Sequence, residues 1–106
     1  MNEKVTTILA ELRGRLEALY SERLVRMMLF GSQARGDAEP ESDIDVLVVL
    51  RGKVSPCEES DRTIRDIADL SLHHNAVVSC VFVSEEQFQQ ERSPLILNVR
   101  REGVSV

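Results

Sequence analysis

The eight residues from Asp43 to Leu50, DIDVLVVL, constrain the fold more than any other stretch of the chain. They begin polar and then run apolar without a break. A segment this short and this apolar is a strand covered along most of its length and exposed only where it starts. Side chains alternate faces along a strand, so Asp43 and Asp45 project from one face, about 7 Å apart along the chain. Two carboxylates side by side repel each other. A chain tolerates them when a divalent cation sits between them. The two acids are candidate metal ligands at a sheet edge, open to a cleft.

A second apolar run, Leu24 to Phe30 (LVRMMLF), predicts a central strand buried on both faces. Gly31-Ser32 follows at once, twelve residues before Asp43. A strand that enters a short helix at a Gly-Ser step leaves free N–H groups there, which favour an anion such as a phosphate. An ordinary turn with Ser32 as the N-cap accounts for the same residues. Arg35 and Gly36 close the short helix, Gly36 as a left-handed cap. Arg35 could reach a phosphate or pair with Asp37 or Glu41. Asp37 to Ser42, DAEPES, reads as a polar loop and as the most mobile part of the site. N–H donors and a hydroxyl on one side, with metal-binding oxygens on the other, suit a metal–nucleotide complex.

Gly31-Ser32, ten residues, then Asp43-Ile44-Asp45 resembles the signature of the nucleotidyltransferase superfamily that includes DNA polymerase β. Arg35-Gly36 inside that gap matches its smallest branch, the minimal nucleotidyltransferases found beside HEPN-domain proteins. The strand expected at Ala76 to Val83 and the C-terminal SPLILNVRREGV extend the likeness over most of the sequence. The resemblance implies an α/β (α+β) fold, a small mixed sheet with helices against one face. It implies that Gly31, Ser32 and Arg35 bind the nucleotide, and that Asp43 and Asp45 hold magnesium and carry catalysis. The family's third strand usually supplies a third metal-binding acid. Ser79 falls at that place here, and no acid occurs between Asp69 and Glu85. Glu41 or a partner's acid could compensate.

The rest of the chain reads as cover for the sheet. Val5, Ile8, Leu9, Leu12, Leu16, Leu19 and Tyr20 recur at helical spacing and predict a helix from Glu3 to Ser21. Ser55-Pro56 and a Ser55/Glu58 capping box start a helix to about His73, with Ile64, Ile67, Ala68 and Leu72 as its apolar stripe. His73 and His74 lie at its C-terminal end, where a cation is favourable. Ser84 to Gln87 forms another capping box, and Ser93-Pro94 starts the last helix, stopped by Gly103. Arg92, Arg100 and Arg101 form the basic cluster, either a dipole contact at a helix end or a grip on a phosphate or partner. Val104 to Val106 offers a short edge strand.

The 106 residues suffice for one domain with one modest core. No apolar run approaches the roughly 20 residues of a membrane span, and the charged N-terminus lacks a signal peptide's apolar stretch. Cys57 and Cys80 have neither metal spacing nor disulfide density, so a reducing cytoplasm is expected. The net charge of −5 argues against a grip on a nucleic acid duplex and suits a basic protein partner. What the resemblance implies is transfer of AMP, or another nucleoside monophosphate, from a magnesium-bound ATP or other NTP to a hydroxyl on a partner protein. The chain would act as antitoxin of a HEPN-type ribonuclease toxin, in a hetero-complex or oligomer. The alternative is a binding module that keeps the fold and neutralises its partner by contact. A free-standing enzyme with a small acceptor would need a further domain to hold it.

Overall fold

A computed structural model describes residues 3–36, 39 and 42–106. The elements run α1 (Glu3–Tyr20), a 3-10 turn (Ser21–Arg23), β1 (Leu24–Phe30), α2 (Ser32–Arg35), β2 (Ile44–Leu50), α3 (Pro56–His74), β3 (Val78–Ser84), α4 (Glu85–Gln90), α5 (Pro94–Glu102) and β4 (Val104–Ser105). The strands form one mixed sheet in the order β3-β2-β1-β4. β1 is antiparallel to β2 and β4, and β2 is parallel to β3. The Asp37 to Ser42 loop falls largely outside the described residues.

The apolar runs behave as their composition demands. Val46 to Leu50 of β2 are buried at every position, because the sheet is covered on both faces. Ile44, Val46 and Val48 join a core with Ile8, Leu12 and Leu16 of α1 and Leu70 of α3. Leu47 and Val49 join a second core with Val83, Ile96 and Val99. Helices on one face only were expected; α4 and α5 in fact cover the other. The reason is the β2 sequence, apolar at odd and even positions alike, which leaves two faces to shield. In β1 only Met27, Met28 and Leu29 are fully buried, and Arg26 is exposed.

The α3 stripe is a correction. Ile64 is 61% exposed and Leu72 84%, Ala68 is exposed, and Ile67 is half-buried. The buried face carries Glu59, Thr63 and Leu70 instead. Polar pairing turned the helix that way. The Tyr20 hydroxyl donates to Glu59 at 2.9 Å and Arg62 pairs with the same carboxylate at 2.9 Å. Thr63 donates back to the Glu59 carbonyl, and Arg15 of α1 holds Asp66 and Asp69. Ser55 is the N-cap of α3, yet its side chain makes no capping hydrogen bond, so the Ser55/Glu58 box is not formed. The Ser84/Gln87 box is formed in both directions. Leu19, placed in the buried stripe of α1, is 39% exposed. Gly103 caps α5 in extended backbone, at a place where a Cβ would lie 2.4 Å from the Val99 carbonyl oxygen. Among the described residues no helix is long and apolar enough to cross a membrane.

Candidate nucleotide and metal site

The site is built where β1 ends and β2 begins. Antiparallel pairing sets Phe30 beside Asp45, and parallel pairing sets Ser79 on the other side of Asp45. Phe30, Asp45 and Ser79 thus form one row across three strands on one sheet face. Asp43 immediately precedes β2, close enough for its charge to act on Asp45. Asp43 is exposed and Asp45 half-buried. Burial raises the Asp45 carboxyl above its ordinary value, and the neighbouring charge of Asp43 raises it further. Neither carboxylate has a hydrogen bond or ion pair among the described residues. This is the electrostatic situation a cation relieves.

Gly31 closes the site from the β1 side. Its φ of 76° is open to glycine and strained for other residues. A Cβ built there would sit 2.7 Å from an Asp45 carboxylate oxygen. The turn therefore packs its backbone directly against the acid. Gly31 is the N-cap of α2, and Ser32 is its first helical residue. The helix's own bonds begin with Ala34 and Arg35, whose amides both donate to the Gly31 carbonyl at 3.1 Å. The amides of Ser32 and Gln33 precede them. Gly36 closes α2 in the left-handed region, as its position required.

Arg35 lies at the rim, exposed, with one guanidinium nitrogen 3.4 Å from Glu102 of α5. The expected partners Asp37 and Glu41 lie outside the described residues. Sequence reasoning missed Glu102, which arrives from the far end of the chain. It also missed Gln33, which is buried and donates to the Ser42 carbonyl at 3.2 Å. That bond ties α2 to the residue before Asp43 and so fixes the turn relative to the acids. The one signal available was a polar residue between two small ones in a four-residue helix.

Other candidates fall away from this centre. Arg100 donates to the Phe88 carbonyl and stacks over its ring, while Arg101 donates to Asn98. Arg100 and Arg101 thus have local structural partners, while Arg92 is exposed and has no ion pair among the described residues. His74 meets Glu11 of α1 at 2.6 Å. Among the described residues no group of three or more His, Cys, Asp or Glu could hold a metal ion. Cys80 is half-buried in β3, its thiol pushed up to about 12 by burial.

Comparison with known proteins shows the family and the fold. The family described as "Nucleotidyltransferase domain" matches residues 9–102. A candidate protein adenylyltransferase of Methanocaldococcus jannaschii is 36% identical over 91 residues, covering 86% of this chain and 83% of that one. A solved candidate minimal nucleotidyltransferase superposes with a TM-score of 0.58 at 26% identity, covering 96% of this chain and 95% of the other. A crystal structure of a toxin–antitoxin with AMP-PNP shares the fold, with a TM-score of 0.62 at 19% identity over 88% of this chain and 68% of that one. With the family model spanning residues 9–102 and a relative 36% identical over 86% of this chain, the chain belongs to the nucleotidyltransferase domain family.

Proposed function

We propose that this chain transfers AMP from magnesium-bound ATP to a hydroxyl on a partner protein, and that the partner is a HEPN-type ribonuclease toxin that it neutralises. The observation that carries the reading is the close approach of Gly31 to Asp45, which sets a glycine-serine turn against two carboxylates that have no hydrogen bond or ion pair among the described residues. In this reading the Gly31–Ser32 backbone and the Ser32 hydroxyl cradle the outer phosphates. Asp43 and Asp45 hold the cation, and the raised Asp45 carboxyl gives it the most to gain from one. A divalent cation bound there supplies charge stabilisation for the α-phosphate and pyrophosphate oxygens. Arg35 adds a positive group at the rim. The acceptor oxygen attacks the α-phosphorus, the bond to the bridging oxygen breaks, pyrophosphate leaves, and the acceptor proton passes to solvent. No covalent enzyme intermediate is needed.

The relatives support the choice of donor and acceptor. One is a candidate protein adenylyltransferase, and one neighbouring structure is a toxin–antitoxin with an ATP analogue. The second reading, silencing by contact alone, is favoured by Ser79. It stands beside Asp45 where the family resemblance expects a further carboxylate.

Co-expression with the partner, followed by intact-mass measurement, separates the two. The enzyme reading expects an adenylyl increment on the partner with the wild type and none with Asp43→Ala/Asp45→Ala. A partner silenced but unmodified in both cases establishes the contact reading. A partner that neither associates nor gains mass removes the antitoxin role.

A further inference from the structure

β3 is an outer strand of the sheet, and its outer edge is undefended. Strand edges in monomers are blunted by charge, proline or a bulge. Val78 to Ser84, VSCVFVS, carries no charge and no proline, and its pairing with β2 runs without a register shift from Val78 to Ser84. Above it lies the outward face of α3, with Ile64 61% and Leu72 84% exposed. Val77, leading into the strand, is 53% exposed. A groove of about 250 Å³ between helix and strand is lined by Thr63, Ile64, Ile67, Ala68, Cys80 and Phe82.

The charges on this face point to its occupant. Four other charges of α3 find partners within the chain, Glu59 and Arg62 with each other and Asp66 and Asp69 with Arg15, while Glu58 in the first turn is exposed. Asp61 and Arg65 lie on the solvent side of α3 next to Ile64 and are exposed. Among the described residues neither makes an ion pair. They are opposite in sign and four residues apart. An antiparallel copy of the same helix, related by a two-fold axis at the level of Thr63, sets Asp61 of each copy against Arg65 of the other. The seven residues of β3 have their own midpoint at Val81. The groove sets residues 60–68 of α3 against Cys80 and Phe82, which bracket Val81, so the two midpoints lie close to each other along the groove. One axis therefore satisfies the helix charges and the strand edges together.

We propose that this face binds a second copy of the chain, joining β3 to β3 antiparallel in an isologous dimer. The paired charges offset part of the repulsion between two copies of net charge −5. Two sheets become one continuous sheet, and the exposed apolar stripe of α3 is covered.

Sedimentation equilibrium of the isolated chain, over a wide concentration range, tests this. The wild type is expected to dimerise. Ile64→Arg, an exposed position whose folding circular dichroism can verify, is expected to give monomers. Asp61→Arg and Arg65→Asp each set like charges against each other twice per dimer, and are expected to weaken it by roughly tenfold. The double swap Asp61→Arg/Arg65→Asp restores the pairing and should restore the dimer. A wild type that stays monomeric at every concentration overturns the proposal. So does a dimer indifferent to all four variants. A patch that Ile64→Arg disables only for a co-expressed protein, while the chain alone stays monomeric, assigns the surface to a foreign partner and overturns the second copy.

Discussion

Gly31 is the residue on which fold and site meet. Gly31→Ala forces a side chain into the left-handed region and against the Asp45 carboxylate 2.7 Å away. The backbone strain costs about 1–3 kcal/mol, read as a lower urea midpoint, and magnesium–ATP binding should fall with it in calorimetric titration. Asp45 behaves in the opposite way. Its folded carboxyl is raised, so the folded state holds its proton more tightly than the unfolded chain. Stability from this group is present below the unfolded carboxyl's range and is lost as pH rises through the folded one. Asp45→Asn should therefore raise the melting temperature slightly at neutral pH, flatten the acid-side slope, and abolish metal-dependent nucleotide binding. A fall in ligand-free stability would show that a buried cationic partner holds Asp45. Ser79→Asp places a carboxylate beside Asp45 on an exposed position. It should increase manganese affinity by several-fold, and unchanged affinity would remove Ser79 from the ion's neighbourhood.

At the scale of elements, α3 shows what periodicity alone can and cannot say. β1, β2 and β3 are legible because uninterrupted apolar runs leave no choice of face, and the Gly31/Asp43/Asp45 spacing is legible because it bridges two strand ends. The buried face of α3 is hidden because its core contacts are polar and pair with Tyr20 and Arg15, far away in sequence. A reader of the chain counts Glu59 and Thr63 as solvent-facing and Ile64 and Leu72 as core. Glu59, 3% exposed, is the test. Glu59→Ala strands the Tyr20 hydroxyl in the core and frees Arg62, and should cost roughly 3 kcal/mol in urea unfolding. Leu72→Ala, at 84% exposure, should cost less than about 0.5 kcal/mol. Equal costs would mean that the hydrophobic stripe, and not the polar one, anchors the helix. Gln33 and Glu102 were illegible for a related reason. Their partners, Ser42 and Arg35, are fixed by how the loop and the last helix return to the site.

For the molecule as a whole, the net charge of −5 bears on association. If its partner is basic, raising ionic strength from about 0.05 to about 0.5 M should slow complex formation several-fold and leave dissociation nearly unchanged, as stopped-flow mixing would show. The cores hold Val46 to Leu50, while Asp43 and Asp45 stand at the polar end of the same strand, beyond most of that packing. That separation has an evolutionary meaning. Losing either carboxylate leaves both cores, both capping serines of the last helices and the rest of the outer surface as they were. A lineage can therefore drift from a protein that chemically marks its partner to one that merely shields it by a single replacement, with no intermediate that fails to fold. The reverse journey is equally short, because the glycine turn that faces the acids is held by backbone geometry whether or not the acids are used.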